Sequence, residues 1–321
     1  MKKYDVTALG ELLIDFTYTG TSDQGNSLLE ANPGGAPCNV LAMLNQCGRS
    51  TNFIGKVGKD QFGYLLHDTL VDLKIGIEGL CFDEEVNTTL AFVKTFENGD
   101  RDFAFYRNPG ADMMLTEQEV QEEQVKNSRI FHFGTLSMTH EGVCRATEKA
   151  INAAKEAGVL ISFDPNLRIP LWKNLQTAKE KMEYGLGKCD VCKISEEEVE
   201  FLTGEKEIGK GTQVLRNRFP VKLLFVTAGA EGSYAFYKDM MVYQPSFKLG
   251  GTIETTGAGD TFCGSILHNL LDRDMEQLKK EDLKQMLVFA NAAAYLVTTK
   301  KGAIRSMPKT EEVWNIINEN T

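Results

Sequence analysis

The chain contains 321 residues, 42% of them apolar and 25% charged, a balance that excludes a disordered or fibrous protein. Its 45 acidic and 35 basic residues leave a net charge of −10, which disfavours nucleic acid and anionic membrane as generic partners. No apolar run approaches the ~18 residues of a membrane span. Any anion must therefore be held by local groups and not by an overall positive field.

The opening stretch, MKKYDVTALGELLID, carries two lysines, yet Asp5 and Glu11 interrupt its apolar run. VTALGELLID therefore reads as a first strand and not as part of a secretory leader. Residues 12–32 are candidates for further strands of a small flap. Asn32-Pro-Gly-Gly-Ala-Pro-Cys-Asn39 then leads into an apolar helix, VLAMLNQCG, and NFIGKVG is the next strand. In DQFGYLLHDTLVDLKIG, Phe62, Leu65, Leu66, Leu70 and Leu73 recur at helical spacing, with Asp60 placed to cap and Gly76 to stop. Residues 89–107 break the alternation, because two strands joined around Asn98-Gly99 read as a β-hairpin. Such a hairpin has no helix to cover its faces. It forms either a flap over a site, a dimer contact, or an antiparallel edge of the main sheet.

Further along, IFHFGTL, VLISFDPN, DVCKIS, KLLFVTAG, SYAFY and MVYQPSF read as strands. One helix runs from about Thr139 to Ala157 and ends at Gly158. Residues 283–297 are apolar on nearly all sides, as a buried helix requires. Alternating β and α units imply a mostly parallel sheet covered by helices on both faces. No repeat, low-complexity tract or long linker divides the chain.

Seven dispersed cysteines suit the reduced thiols of a cytoplasm. Cys189 and Cys192 are a formal CxxC. On a strand, side chains three apart point to opposite faces, so these two are predicted to share neither a metal nor a disulfide. His67, His132, His140 and His268 fall in no metal-ligand spacing and are expected at the core edge or surface.

In open α/β sheets, ligands bind beyond the carboxyl ends of the strands. Glu254-Thr-Thr-Gly-Ala-Gly-Asp260 precedes the apolar helix TFCGSILHNLL. Small residues at 257–259 let a ligand approach backbone N–H groups where a helix begins, an arrangement that attracts anions. Asp260 in the same turn is either a helix cap or the base that a phosphoryl acceptor needs. The two glycines at 34–35 permit close approach of a polar ligand, and Asn39 can project an amide at it. No Walker A sequence exists, and no GxGxxG follows the first strand, which argues against a nicotinamide dehydrogenase.

GGAPCN (34–39) and TTGAGDTFCG (255–264) resemble the two signature motifs of the ribokinase-like (PfkB-type) carbohydrate kinases. The similarity extends through GELLID near the start, IGKVGKDQFG (54–63) and ANAAAYLVTTKKGAI (290–304), and so covers essentially the whole chain. Within that family FYRNPGADMML (105–115), FDPNLR (163–168) and KISEEE (193–198) look most like bacterial fructokinases. The resemblance implies one α/β kinase domain over 1–321, with a central sheet flanked by helices and a β lid from approximately 12–32 and 86–110. It implies ATP-dependent phosphorylation of a ketohexose, most plainly fructose to fructose 6-phosphate, with Mg2+ and a homodimer formed through the lid. Keto-deoxy-gluconate kinase and a non-catalytic sugar-binding regulator are the alternatives.

By that resemblance Asp260 is the general base, and Gly257, Ala258 and Gly259 form the anion hole. Asp15, Gly34, Gly35 and Asn39 match sugar-binding positions, and Tyr106 and Arg107 match further substrate contacts, while Arg168 in DPNLR is either a substrate-side clamp for the anion, its guanidinium supplying two aligned donors, or a surface salt bridge. As neighbours on a strand, Tyr106 and Arg107 can share a substrate only if the Asn108-Pro109-Gly110 turn ends the strand early. Ser195, Glu198, Thr227, Gly229, Gly232 and Asn291 would line the nucleotide site, with Glu198 acting on magnesium through water. Glu254 replaces the aspartate usual in a monovalent cation site. The other positions of that site, Thr256, Val297, Lys300, Gly302 and Ser306, would offer mainly backbone carbonyls. The resemblance therefore leaves dependence on K+ open.

Overall fold

The computed structural model describes residues 2–95 and 101–320, and the predicted Asn98-Gly99 turn lies outside them. Thirteen strands fall into two sheets among the described residues. The large sheet contains β1 (Tyr4–Leu9), β4 (Thr51–Gly58), β5 (Gly76–Asp83), β8 (Ser128–Gly134), β9 (Leu160–Asp164), β10 (Val191–Ser195), β11 (Leu223–Ala228), β12 (Gly232–Tyr237) and β13 (Met240–Pro245). Their order is β13-β12-β11-β10-β9-β8-β1-β4-β5. Every pairing from β5 across to β11 is parallel, while β11, β12 and β13 pair antiparallel at one edge. The small sheet contains β2 (Leu13–Thr21), β3 (Ser27–Gly34), β6 (Leu90–Thr95) and β7 (Arg101–Tyr106), in the order β3-β2-β6-β7.

Central strands of the large sheet are buried on both faces, which is why they read in the sequence as unbroken apolar runs. On β11, Leu223 and Phe225 face one core layer, and Leu224 and Val226 face the other. The first layer is covered by α1 (Ala36–Gln46), α2 (Gln61–Asp72), α8 (Ala258–Leu270), α9 (Lys280–Thr298) and α10 (Thr310–Asn320). The second carries α3 (Glu122–Lys126), α4 (Glu141–Glu156), α5 (Leu175–Leu186), α6 (Glu196–Thr203) and α7 (Ile208–Arg218). Helix α9 is buried over much of its circumference, as its apolar sequence predicts. Gly158 follows α4 with φ of 63°, the left-handed turn its position implies.

Several local expectations need correction. The single strand VTALGELLID is two strands, broken at residues 10–12, where the chain runs close under the start of α1. A Cβ on Gly10 would lie 2.5 Å from Pro37 Cγ, and Glu11 Oε1 accepts a hydrogen bond from Ala36 N at 2.8 Å. Gly76 does not stop α2. That helix ends at Asp72, Lys74 takes the left-handed turn at φ 57°, and Gly76 opens β5. This edge strand is half-exposed and glycine-rich, so it leaves no apolar run to read. Leu65 lies on the open side of α2. Cys189 precedes β10, so the rule of opposite strand faces does not apply to it. Both thiols are buried and free, Cys189 Sγ donating to Leu186 O and Cys192 Sγ to Lys193 O. His132 is fully buried against Ser162, at 3.0 Å from its Oγ, and is not a core-edge residue.

The 89–107 segment supplies β6 and β7 to the small sheet. Among the described residues it does not pair with the main sheet, since β6 runs parallel to β2 and antiparallel to β7. Phe16 of β2 stacks on Phe92 and meets Phe62 of α2 edge-on, which seats the small sheet on the body of the protein.

Asp60 fastens the same region. Its Oδ1 accepts from Phe62 N, Gly63 N and Thr88 Oγ1, and its Oδ2 from Thr88 N, all at 2.8–2.9 Å. Burial opposes ionisation, but the N–H donors of Thr88 and Gly63 hold the carboxyl below the usual aspartate range. Its contribution is thus full above that range and is lost as pH falls through the lower, folded value. Asp60→Ala is expected to reduce the unfolding free energy at pH 7 by about 1–2 kcal/mol, the range of a lost helix cap. Urea denaturation reads this directly, and an unchanged midpoint would mean that water replaces the lost bonds.

Candidate active site

A cleft of about 910 Å³ opens between the carboxyl ends of the parallel strands and the small sheet. Asp15, Gly35 and Asn39 line one end, and Ser195, Glu198, Thr227 and Gly229 the other, with Arg168, Gly257, Gly259 and Asp260 also in its wall. A second cavity of about 500 Å³ shares Thr227, Gly229 and Gly259 with it and adds Gly232, Ala258 and Asn291. Residues as far apart in the chain as Glu11 and Thr298 are thus brought to one continuous space.

Asp260 lies in the first turn of α8, where Gly257 takes φ of 78° at the N-cap and supplies no side-chain cap. The helix start therefore keeps N–H groups that no side chain of its own occupies. Asn39 Nδ2 donates to Asp260 Oδ2 at 2.8 Å, while Asn39 Oδ1 is buried with no partner among the described residues. Burial raises the Asp260 carboxyl, and the Asn39 bond, Lys193 and Arg168 oppose that rise. A carboxylate raised in this way is a better proton acceptor than a free aspartate.

Asp15 projects from β2, and Gly34 stands beside it on the neighbouring strand, where a Cβ would come within 2.4 Å of Asp15 Oδ2. Gly34 therefore makes room for the carboxylate and does not itself line the cleft, whereas Gly35 does. Burial pushes Asp15 up to about 7, although Arg168 pulls the other way.

Of the cleft residues that the sequence did not single out, two bear most on the chemistry. Lys193 sits on β10 with its Nζ 3.1 Å from Asp164 Oδ2, and a Cβ on Gly259 would lie 3.0 Å from that Nζ. Burial works against its charge, but Asp164, Glu198 and Asp260 outweigh it and keep the ammonium protonated. Lys193 and Arg168 are the cations of a wall that also carries Glu11, Asp15, Glu197, Glu198, Glu200 and Asp260. The signal was a lysine within an otherwise apolar strand, DVCKIS. Phe105 is the second, and it takes the place expected for its neighbours.

Tyr106 and Arg107 do not line the cleft. The strand persists to Tyr106, so alternation turns Phe105 inward and Tyr106 outward, 68% exposed and edge-on to Phe92. Arg107 is buried and paired with Asp112 at 2.7 Å. Arg168, by contrast, is exposed in the cleft and forms no ion pair among the described residues.

On the nucleotide side, several side chains are already occupied. Ser195 Oγ accepts from Glu198 N at 3.2 Å, and Glu198 Oε2 accepts from Ser195 N at 2.8 Å, a reciprocal capping box that starts α6. Glu198 Oε1 accepts from Leu167 N at 2.7 Å. Each carboxylate oxygen keeps a second lone pair, so Glu198 can still accept from a metal-bound water. Asn291 donates to the carbonyls of Gln244 and Pro245 at 3.1 Å and accepts from Ser233 Oγ at 2.8 Å. Its amide is thus spent on holding β12 and β13 to α9, and it walls the cavity without offering free donors.

Glu254 accepts from Gly302 N at 3.1 Å and from Thr256 Oγ1 at 2.5 Å, tying the loop before α8 to the one after α9. Lys300 turns to Glu312. Among the described residues, no three His, Cys, Asp or Glu side chains converge as a metal site.

An anion-accepting helix start, a buried carboxylate at its first turn and a two-part cleft at the strand ends define a phosphotransferase site on a ribokinase-like fold. The family model for pfkB family carbohydrate kinases matches residues 3–310, and the chain belongs to that family. It is 41% identical over 320 residues to fructokinase-2 of Oryza sativa subsp. japonica, covering 98% of this chain and 94% of that one. Fructokinase-2 of Solanum lycopersicum is 38% identical over 317 residues, covering 97% and 95%. Among solved structures, fructokinase from Xylella fastidiosa with bound ATP superposes with a TM-score of 0.89 at 28% identity, covering 98% and 99%. Fructokinase from Vibrio cholerae O395 with fructose, ADP and calcium bound gives 0.87 at 31% identity, covering 97% of each chain.

Because Asp15 takes up its proton at higher pH when folded than when unfolded, it destabilises the protein progressively as pH rises from about 4 to 7. Asp15→Asn should raise the unfolding free energy at pH 8 by an amount on the order of a few kcal/mol at most. The gain should shrink toward zero near pH 4. Urea titrations at the two pH values test this, and a gain equal at both would refute the assignment.

Proposed function

We propose that this protein is an ATP-dependent fructokinase acting as one catalytic domain, with the small sheet as its lid. The observation that carries this reading is the Asn39–Asp260 hydrogen bond, which sets a buried base beside the anion-accepting start of α8. Asp260 takes the proton of the sugar hydroxyl as that oxygen attacks the γ-phosphorus, and ADP leaves. The N–H groups at Gly257, Ala258 and Gly259 donate to the oxygens of the transferred phosphoryl group as charge develops there, Ala258 N giving up its 3.3 Å bond to Thr255 O. Lys193 and Arg168 counter the charge of the nucleotide in a wall otherwise rich in carboxylates.

Asp15 and Asn39 bind sugar hydroxyls on the other side. Either would be left unpaired by a wrong hydroxyl pattern, which costs several kcal/mol and so gives specificity. ATP occupies the end lined by Thr227, Gly229 and Gly232. Glu198 holds Mg2+ through water, and the metal supplies charge neutralisation on the phosphates when bound. With Arg107 paired to Asp112, one of the two arginines that would pair a substrate carboxylate is withdrawn from the cleft, which disfavours a sugar acid. An intact base disfavours a mere sugar sensor.

Tyr18, Leu28, Leu29 and Tyr106 leave an apolar surface exposed on the lid sheet, which supports a homodimer through the lid. All seven cysteines are free, as suits the cytoplasm, and no described helix is long and apolar enough to cross a membrane.

Asp260→Asn is expected to lower kcat on fructose by roughly 10²–10⁴-fold, the contribution of a general base, with fructose affinity largely kept. Coupled ADP release and isothermal titration measure the two quantities. Wild-type turnover in the variant would falsify the assignment of the base, and wild-type protein inactive on fructose would overturn the substrate.

A further inference from the structure

The hairpin of β6 and β7 leaves the body of the protein at Thr89 and returns to it at Arg107. Both ends meet one carboxylate. Asp112, on the single helical turn Ala111–Met114, accepts from Thr89 Oγ1 through Oδ1 at 2.5 Å. Through Oδ2 it accepts from Arg107 Nε at 2.8 Å and pairs with Nη2 at 2.7 Å. Arg107 carries the tie onward to the body, donating from Nη1 to Thr139 Oγ1 at 2.8 Å and from Nη2 to Leu136 O at 3.1 Å. Thr89, Arg107 and Asp112 are all at least nine-tenths buried. The junction has no slack, since a Cβ on Gly110 would lie 1.7 Å from Thr89 Oγ1.

A buried ion pair adds little stability over apolar packing of the same volume, because desolvation offsets most of the Coulomb gain. Its directed bonds do fix geometry. The geometry held here faces the reaction space. Phe105, two residues before Arg107, lines the cleft, and so does Leu136, whose carbonyl receives Arg107. None of the clamp residues borders the second cavity, on the nucleotide side.

We infer that Asp112 is a positioning residue: by gripping both ends of the lid hairpin it sets how far Phe105 stands over the sugar half of the cleft. It therefore governs sugar capture and the exclusion of water, and leaves nucleotide binding alone. This rests on the kinase reading above. A loosened clamp admits water to the γ-phosphorus in place of the sugar hydroxyl, giving ADP and inorganic phosphate.

The test uses the full chain with Asp112→Asn, which keeps volume but loses the charge, and with Thr89→Val, which removes only one grip. In Asp112→Asn the KM for fructose should rise about 10-fold, on the scale of a small displacement of a positioning group. The KM for Mg-ATP should stay within about twofold, and ADP formed per fructose 6-phosphate should rise above one. Thr89→Val should move the same quantities less far, and it decides alone if Asp112→Asn does not fold. Folded variants with unchanged fructose KM and unchanged coupling would overturn the inference, as would an equal rise in both KM values. Amide exchange supplies a readout independent of turnover: it should quicken in β6 and β7 but not in β11 or α8. If wild type fails to turn over fructose, the kinase reading falls, and exchange still judges the clamp. Unchanged exchange in both variants sinks it.

Discussion

The site depends on two helix beginnings being held in register. Asn39 sits in the first turn of α1 and Asp260 in the first turn of α8, and the bond between them spans 221 residues of sequence. Their alignment is a packing problem before it is a chemical one. Gly264 lets α8 press against α1 so closely that an added Cβ would meet Met43 Cβ at 2.8 Å and Val40 O at 2.9 Å. Two helices in van der Waals contact along their length cannot shift their N-termini independently. Asp260, the amide that holds it and the start of α8 thereby become one rigid body.

Around that body the cleft is electrostatically expensive. Glu11, Asp164 and Asp260 are buried together with Asp15 half-buried beside them, and desolvation raises Glu11 and Asp15 to about 7. Lys193 is the buried cation among them, and the two sides of this balance maintain each other. The carboxylates keep the ammonium charged, while the ammonium keeps Asp260 from rising further. Such a site gives up stability for preorganised charge, because a polar wall assembled in advance needs no rearrangement when charge develops.

Much of this was legible in the sequence, for identifiable reasons. Strands buried on both faces leave apolar runs, so β8 to β11 could be read. The half-exposed edge strand β5 leaves none and was missed. Small residues at 257–259 followed by Asp260 mark a backbone approach that few other constraints require, and Asn39 follows a pair of glycines for a similar reason. Side-chain direction was harder. Where β7 ends decides whether Phe105 or Tyr106 faces inward, and no residue pattern states that. Arg107 looked like a free cation because its partner, Asp112, belongs to the turn that follows. Asn291 was read as a ligand contact, yet its amide is consumed in holding a strand pair to a helix. A lone lysine in an apolar strand was passed over, although burying an ammonium requires carboxylates close by.

The order of strands has a consequence for how the protein is made. β1, near the N-terminus, lies between β8 and β4, and its outer partner on the β8 side is supplied by residues beyond 127. Asp260 arrives later still, on a helix that starts at residue 258. A chain growing on a ribosome thus exposes the first strand's hydrogen-bonding edge, and Asp15 and Asn39, long before their partners exist. Contacts so distant in sequence close slowly and leave apolar surface open in the meantime. A fragment that ends before residue 258 therefore lacks both Asp260 and the helix start that complete the cleft.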